Sequence, residues 1–266
     1  MDLQERMQQY EDLGGTQNKL TPNLPIVIRL DGRNFSRYTQ GMEAFHGPLI
    51  HVFDKTMEAV MEETHARIGY TASDEINLIL DETKNGETRE TIFGGRIMKI
   101  CSVFASMTTA YFNYYASNYM RNYTSALGMF DARCFTVPTV EEATNYLIWR
   151  EQNYQSNSIS MAAREHFSHR EVQGKNTAQL LEMMSNKGVN WDNFPARWKW
   201  GLYLMKQVFE THFTDDEIEK LPLSHAARKD PSLVIKRSRF VVTPKPPLAW
   251  FYNRVDYIFG EGANNE

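Results

Sequence analysis

Arg67-Ile-Gly-Tyr-Thr-Ala-Ser-Asp-Glu-Ile-Asn-Leu-Ile-Leu80 sets two apolar runs, 67–71 and 76–80, on either side of a short polar tip. Two strand-like runs with so brief a reversal form a β-hairpin, and this tip, Ala72-Ser-Asp-Glu75, carries acids. Upstream, Ile26-Val-Ile-Arg-Leu30 is short and rich in β-branched residues. It follows Pro25 and stops at Asp31-Gly32, as a buried strand running into a turn does. Between the two lies Pro48 to Ala66, where Leu49, Phe53, Met57, Val60 and Met61 share one helical face with Glu and Lys opposite. Downstream, Arg96 to about Tyr119 repeats the helical pattern through Ile97, Ile100, Cys101, Phe104, Met107 and Tyr111, and Phe130 to Val137 alternates as a strand. The order β-α-β-β-α-β is the split βαβ, ferredoxin-like arrangement, an antiparallel sheet with both helices on one face. The expected class is therefore α+β.

Beyond residue 137 the pattern turns mostly helical. Thr139 and Glu142 form a T-x-x-E capping box opening a helix through Trp149, and Asn176 to Met184 is a second helix, stopped by Gly188. Gly201–Phe209 and Arg239–Thr243 read as strands. The breakers at 222–231 and 244–247 mark turns inside an elaboration rather than a linker. The expected organisation is one domain over 1–266, with a core at 22–137 and an elaboration at 138–266.

The chain has 266 residues, 42% hydrophobic and 23% charged, ordinary values that set aside disordered, collagen-like and coiled-coil classes. No run approaches ~18 apolar residues, so no membrane span is expected. The amino terminus lacks the apolar stretch of a signal peptide. Cys101 and Cys134 stand far apart in the chain without C-x-x-C spacing, which excludes a disulfide framework and points to a reducing cytoplasm. A net charge of −4 argues against nucleic-acid binding over the whole surface. Arg228, Lys229, Lys236, Arg237, Arg239 and Lys245 against the single acid Asp230 leave one basic stretch, either a solvated segment or a local RNA-binding face.

In this sheet the first strand and the hairpin are neighbours, so Asp31 and Asp74 converge at one edge. Two carboxylates beside the Gly32 carbonyl suit Mg²⁺, a hard ion that takes oxygen ligands and shares its shell with phosphates. Two such ions ~4 Å apart can activate a hydroxyl and stabilise leaving pyrophosphate. Asp-Gly and Asp-Glu are also ordinary turn sequences. Three features favour chemistry: the acids follow strongly apolar strands, Arg29 lies inside a strand, and Arg96 and Lys99 open a helix whose N-terminus disfavours cations.

Ile28-Arg-Leu-Asp-Gly-Arg-Asn-Phe35, Ser73-Asp-Glu75, Arg96-Ile-Met-Lys99 and Phe130-Asp-Ala-Arg133 resemble the tRNA-His guanylyltransferase superfamily. Trp149-Arg150, Asn157-Ser-Ile159, Phe167-Ser-His169 and Lys187-Gly-Val-Asn-Trp191 extend the resemblance over residues 22–210, closest to its bacterial, archaeal and phage 3′-5′ polymerase branch. The resemblance implies a polymerase-palm-like fold, with two Mg²⁺ on Asp31, Gly32 and Asp74 and Asp31 and Asp74 as catalytic residues. Arg29, Arg33, Asn34, Phe35, His46, Ser73, Glu75, Arg96 and Lys99 would bind the nucleotide and its triphosphate. Arg150, Asn157, Lys187 and Lys199 would meet RNA. The implied activity is template-dependent 3′-5′ addition to 5′-truncated tRNA using ATP, GTP and other NTPs, by a homotetramer that pools basic surface between subunits.

Two departures stand out. The family's cation in F-x-[KR]-P is absent from Phe45-His-Gly-Pro48, with His46 nearest, and the histidine of the eukaryotic tRNA-His motif is replaced by Gln155. The tryptophans of Trp198-Lys-Trp200 suit core packing better than base stacking. Two alternatives stay open: a palm-type nucleotide cyclase, which this chain would be without the G-G-[DE]-E-F hairpin, and a tRNA-binding module with weakened catalysis.

Overall fold

The computed structural model describes residues 3–13, 15, 17–81, 83–84, 87–88, 90–120, 126–242 and 247–259. Lys245 and Pro244, part of the basic stretch and its turn, lie outside the described residues. The main elements are β1 (Ile26–Gly32), α1 (Gly47–Thr64), β2 (Ile68–Ala72), β3 (Glu75–Leu80), α2 (Ile97–Tyr119), β4 (Phe130–Thr136), α3 (Val140–His166), α4 (Thr177–Asn186), β5 (Leu202–His212) and β6 (Val234–Val242).

All six strands join one antiparallel sheet in the order β4-β1-β3-β2-β5-β6. The first four reproduce the ferredoxin-like order, and β5 and β6 extend it at the β2 edge. Strand alternation divides the side chains between two faces. Ile26, Ile28 and Leu30 meet α1 and α2 in a cluster with Phe53, Met57, Met61, Ile100, Phe104 and Phe112. Val27, Ile68, Tyr70 and Ile79 point the other way, against Ala143, Leu147 and Tyr154 of α3 and against Leu248 and Ile258. Both helices of the expected core thus share one face, and the elaboration covers the other. This double cover explains why β2 and β3 are buried at every position. A third cluster joins Phe45 to Ile159, Leu180, Met184 and Trp191. Trp198 stacks on Phe45 at 4.9 Å and Trp200 meets Trp191 edge-on, so both tryptophans of Trp198-Lys-Trp200 pack.

Local chemistry sets the element ends. The Thr139 hydroxyl accepts from the Glu142 amide at 3.3 Å and opens α3, which runs on to His166, well past Trp149. Asn176 and Gln179 make a reciprocal capping box for α4. Gly201, at φ 81°, joins the short helix Ala196–Trp200 to β5; a Cβ there would sit 2.8 Å from the Thr71 carbonyl oxygen. Ser73 turns the β2–β3 hairpin at φ 54°, a left-handed conformation uncommon outside glycine.

The cysteines, distant in the chain, meet in space. Cys101 on α2 and Cys134 on β4 bring their sulfurs to 3.6 Å as free thiols. Burial and the neighbouring thiol push Cys134 up to about 12.

Candidate active site

The edge of the sheet near the ends of β1 and β3 carries the acids. In register, Asp31 of β1 stands between Glu75 of β3 and Asp131 of β4. One rung back, Arg29 stands between Asn77 and Arg133. Residues opposite each other share a face, so these two rungs form a polar strip on the side covered by α3. Beyond the rung, the amide of Gly32 donates to the carbonyl of Asp74 at 2.9 Å, which fixes the hairpin tip against the end of β1. Sequence placed Asp31 and Asp74 at one edge, and the backbone brings them there.

The electrostatics of this edge are lopsided. Burial and the charge of Asp31 raise the Asp74 carboxyl above its usual range, opposed in part by its own amide and Ser73. Arg29 sends Nη2 to Asp31 Oδ2 at 2.8 Å and to Glu75 Oε2 at 2.7 Å. That explains a charge inside a buried strand. Arg150, reaching from α3, clamps Glu75 through Nε to Oε1 at 2.6 Å and Nη2 to Oε2. Arg133 approaches Asp31 at 3.8 Å from an exposed position. Asp31 and Glu75 therefore share two largely buried guanidiniums, while Asp74 lies beside them at the hairpin tip with its carboxyl raised.

This donor set fits a divalent ion. Two hard carboxylates at a strand end, one of them destabilised as an anion by burial and then by its neighbour, would gain from Mg²⁺, and the Gly32 carbonyl follows Asp31 directly in the chain. Among the described residues no three His, Cys, Asp or Glu side chains cluster as metal ligands. The candidate thus rests on two carboxylates with backbone oxygen.

The other expected residues divide. Arg33 and Asn34 follow Gly32 and line an open hollow of about 330 Å³ with Arg37, Tyr38, Leu127 and Met129. Arg96 opens α2 and lines a second hollow of about 490 Å³ with Lys19, Glu90 and Phe93; the Lys99 ammonium sits 5.3 Å from the Phe93 ring centre. Phe35 is buried among Phe53, Phe112 and Phe130. His46 is buried too, and its Nδ1 accepts from the Leu49 amide to cap α1. Lys187 donates to the His166 carbonyl at 2.7 Å and Lys199 to the Asp192 carbonyl at 2.6 Å. Asn157 is exposed on α3. Arg150, expected to meet RNA, is instead held by Glu75.

Asn77 and Tyr146 were absent from the expected set. Asn77 is fully buried, gives Nδ2 to Glu75 Oε1 at 2.7 Å and receives the Tyr146 hydroxyl at 2.8 Å. The signal for Asn77 was present: a polar residue inside an otherwise apolar strand, in phase with Arg29 in its own.

A family model described as tRNAHis guanylyltransferase matches residues 4–138. An uncharacterized mimivirus protein is 29% identical over 73% of this chain and 74% of its own length. A probable tRNA(His) guanylyltransferase of Bos taurus is 26% identical over 84% of this chain and 76% of its own length. Among solved structures, a bacterial tRNA(His) guanylyltransferase-like protein in complex with ATP superposes with a TM-score of 0.77 at 27% identity, covering 97% of this chain and 100% of that one. A GTP complex of such a bacterial protein reaches 0.69 at 28% identity over 92% of each chain.

Proposed function

Because the chain belongs to the tRNA(His) guanylyltransferase family and is a nucleotidyltransferase, we propose that it extends 5′-truncated tRNA in the 3′-5′ direction on a template strand. The observation that carries this is the acid edge: Asp31 and Asp74 held where two core strands end, the Gly32 amide tied to the Asp74 carbonyl. They would hold two Mg²⁺, which when bound supply Lewis acidity for the attacking hydroxyl and the departing phosphate. The incoming nucleotide's 3′-oxygen bonds to the 5′-phosphorus of the RNA. Pyrophosphate leaves a triphosphate end, and AMP leaves an end first adenylylated with ATP. Such chemistry rests on positioning and charge neutralisation more than on acid-base groups.

In this reading Arg33, Asn34 and Ser73 border the nucleotide, and Arg96 and Lys99 meet its triphosphate. Phe35 and His46 serve from beneath, the first by packing and the second by capping α1, so the segment between them holds its shape. Asn157, Lys187 and Lys199 face RNA; each lysine keeps spare N–H groups after satisfying one carbonyl. Replacement of the eukaryotic histidine by Gln155 favours templated addition over an obligatory extra guanylate. A homotetramer would let a net-acidic chain bind tRNA by pooling cations between subunits. Nucleotide complexes of the bacterial relatives support use of ATP and GTP.

The deciding assay incubates a 5′-truncated tRNA, NTPs and Mg²⁺ with folded protein and resolves product length. Extension that stops at the template's end, and disappears in Asp31→Ala and Asp74→Ala, is expected. No extension by folded wild type sinks the reading. A cyclic nucleotide made without RNA would identify a cyclase, and Mg²⁺-independent tRNA binding without turnover would identify a binding module.

A further inference from the structure

The Glu75 carboxylate has no lone pair to spare. Oε1 accepts from Arg150 Nε and Asn77 Nδ2, and Oε2 accepts from Arg150 Nη2 and Arg29 Nη2. A carboxylate offers about four acceptor sites, and all four are filled from within the chain. Glu75 is therefore a junction rather than a ligand for nucleotide or ion. Its Arg29 partner uses the same Nη2 atom to hold Asp31 Oδ2. The connection runs from α3, through Arg150, Glu75 and Arg29, to the carboxylate at the end of β1. It is braced by the Tyr146 hydroxyl on Asn77 and by the Trp149 ring, 4.7 Å from the Arg150 guanidinium carbon. Arg150 is only 14% exposed in its side chain, a poor position from which to grip a phosphate.

We propose that Arg150 is a positioning residue: by occupying Glu75 bidentately it leaves Arg29 shared with Asp31, and so sets the orientation of the Asp31 carboxylate from the helix that covers the sheet. Without Arg150, Glu75 is left with Arg29 as its one cationic partner. Arg29 is then drawn toward Glu75, and Asp31 loses the contact that fixes its rotamer. The inference rests on the reading of Asp31 as a metal-holding catalytic carboxylate, and it goes beyond that reading by adding a control point in the elaboration.

The experiment compares wild type, Arg150→Ala, Arg150→Lys, Glu75→Gln and the Arg150→Ala/Glu75→Gln double variant with 5′-truncated tRNA and NTPs. Arg150→Ala should lower kcat on the order of 10²-fold, since small misplacement of a reacting group has that cost. Its KM for NTP and its Kd for tRNA should stay within about twofold of wild type, the pattern of an interaction acting on the transition state. Arg150→Lys should recover part of kcat. The double variant should be no worse than the poorer single, because both cut one chain of contacts. Should Arg150→Ala unfold, Arg150→Lys and Tyr146→Phe carry the same comparison. A second readout needs no turnover: the Mg²⁺ concentration that raises the melting temperature should be higher in Arg150→Ala and Arg150→Lys than in wild type. Weakened tRNA binding with unchanged kcat would make Arg150 an RNA contact and overturn the proposal, as would wild-type kcat in Glu75→Gln. If wild type itself extends no tRNA, the proposed function fails, and the Mg²⁺-dependent melting decides this inference alone.

Discussion

The inner four strands and the outer pair β5–β6 belong to one sheet, yet they spend their charges differently. In β1 and β3 a few charges sit inside apolar strands, and each has a named counterpart: Arg29 with Asp31 and Glu75, and Glu75 with Arg150 from across the sheet face. In β5 and β6 the charges lie at half-buried or exposed positions and settle for near neighbours. Arg239 reaches Gln207, Arg237 takes Glu217 at 2.6 Å, and Lys236 sits 3.9 Å from Glu210. Arg228 is spent on the Leu221 and Glu219 carbonyls. The inner strands carry charge where water is scarce and each pair is costly to break; the outer strands carry charge where solvent shares the load. Charges of the first kind shape a site, whereas those of the second kind set solubility and weak attraction and guard a sheet edge.

The sharpest way to break this contrast is at the acids. Asp31→Ala and Asp74→Ala should each lower turnover on the order of 10³-fold or more, Asp74→Ala with little change in melting temperature and Asp31→Ala with a modest fall because Arg29 loses a partner, checked by product length and calorimetry. An activity loss matched by unfolding would make the acids structural. Next comes packing. Phe112→Ala, in the aromatic cluster under the inner strands, should cost about 3–5 kcal/mol, whereas Phe209→Ala on β5 should cost about 1 kcal/mol or less. Denaturation in urea compares the two, and equal losses would erase the difference between inner and outer strands.

At the junction of the two regions, Gly201→Ala should cost about 1–3 kcal/mol, because the glycine-only backbone angle and the Thr71 carbonyl leave no room for a methyl. A smaller effect is expected at Glu151 of α3, whose Oε2 accepts from the Leu248 amide. Burial raises its carboxyl above the usual range. An acid raised in the folded state binds its proton more tightly there than when unfolded. Its ionisation therefore detracts from stability above the folded pKa, and that loss is relieved as pH falls through it. Glu151→Gln should thus stabilise the fold at pH 7, and the gain should shrink on acidification in paired melting curves. Smallest of all, Lys236→Ala and Arg239→Ala should each weaken tRNA binding by a few-fold or less and flatten its salt dependence by about one unit if β6 touches phosphate. Unchanged salt slopes would leave these cations to guarding the edge.

Legibility in the sequence followed the same divide. β1, β2, β3, β4, α1 and α2 begin and end within about two residues of their expected bounds, since each carries one dominant period and clear breakers. α3 was expected only through Trp149. Packing of Tyr154, Ser158 and Ile159 carries it on to His166. β6 was expected only from Arg239, because Lys236-Arg-Ser-Arg239 reads as solvated coil until β5 supplies the ladder. At the site, Asp31 and Asp74 were readable as acids ending apolar strands. The Glu75–Arg150 clamp was not, because 75 residues separate the partners and no local pattern marks which arginine turns inward. The contact between Cys101 and Cys134 was hidden for the same reason.

The second face of the sheet is closed late in the chain. Leu248 and Ile258 cover Val27, Ile68 and Ile79, and the backbone of Ile258 takes the Arg67 guanidinium. A ribosome adding roughly 5–20 residues each second needs on the order of ten seconds to travel from Arg67 to Ile258. Through that interval the patch of this face that α3 leaves uncovered stays open, a defined window of apolar exposure on β2 and β3 during synthesis. Slowing translation after residue 200 should lengthen that window and divert newborn chains into inclusion bodies.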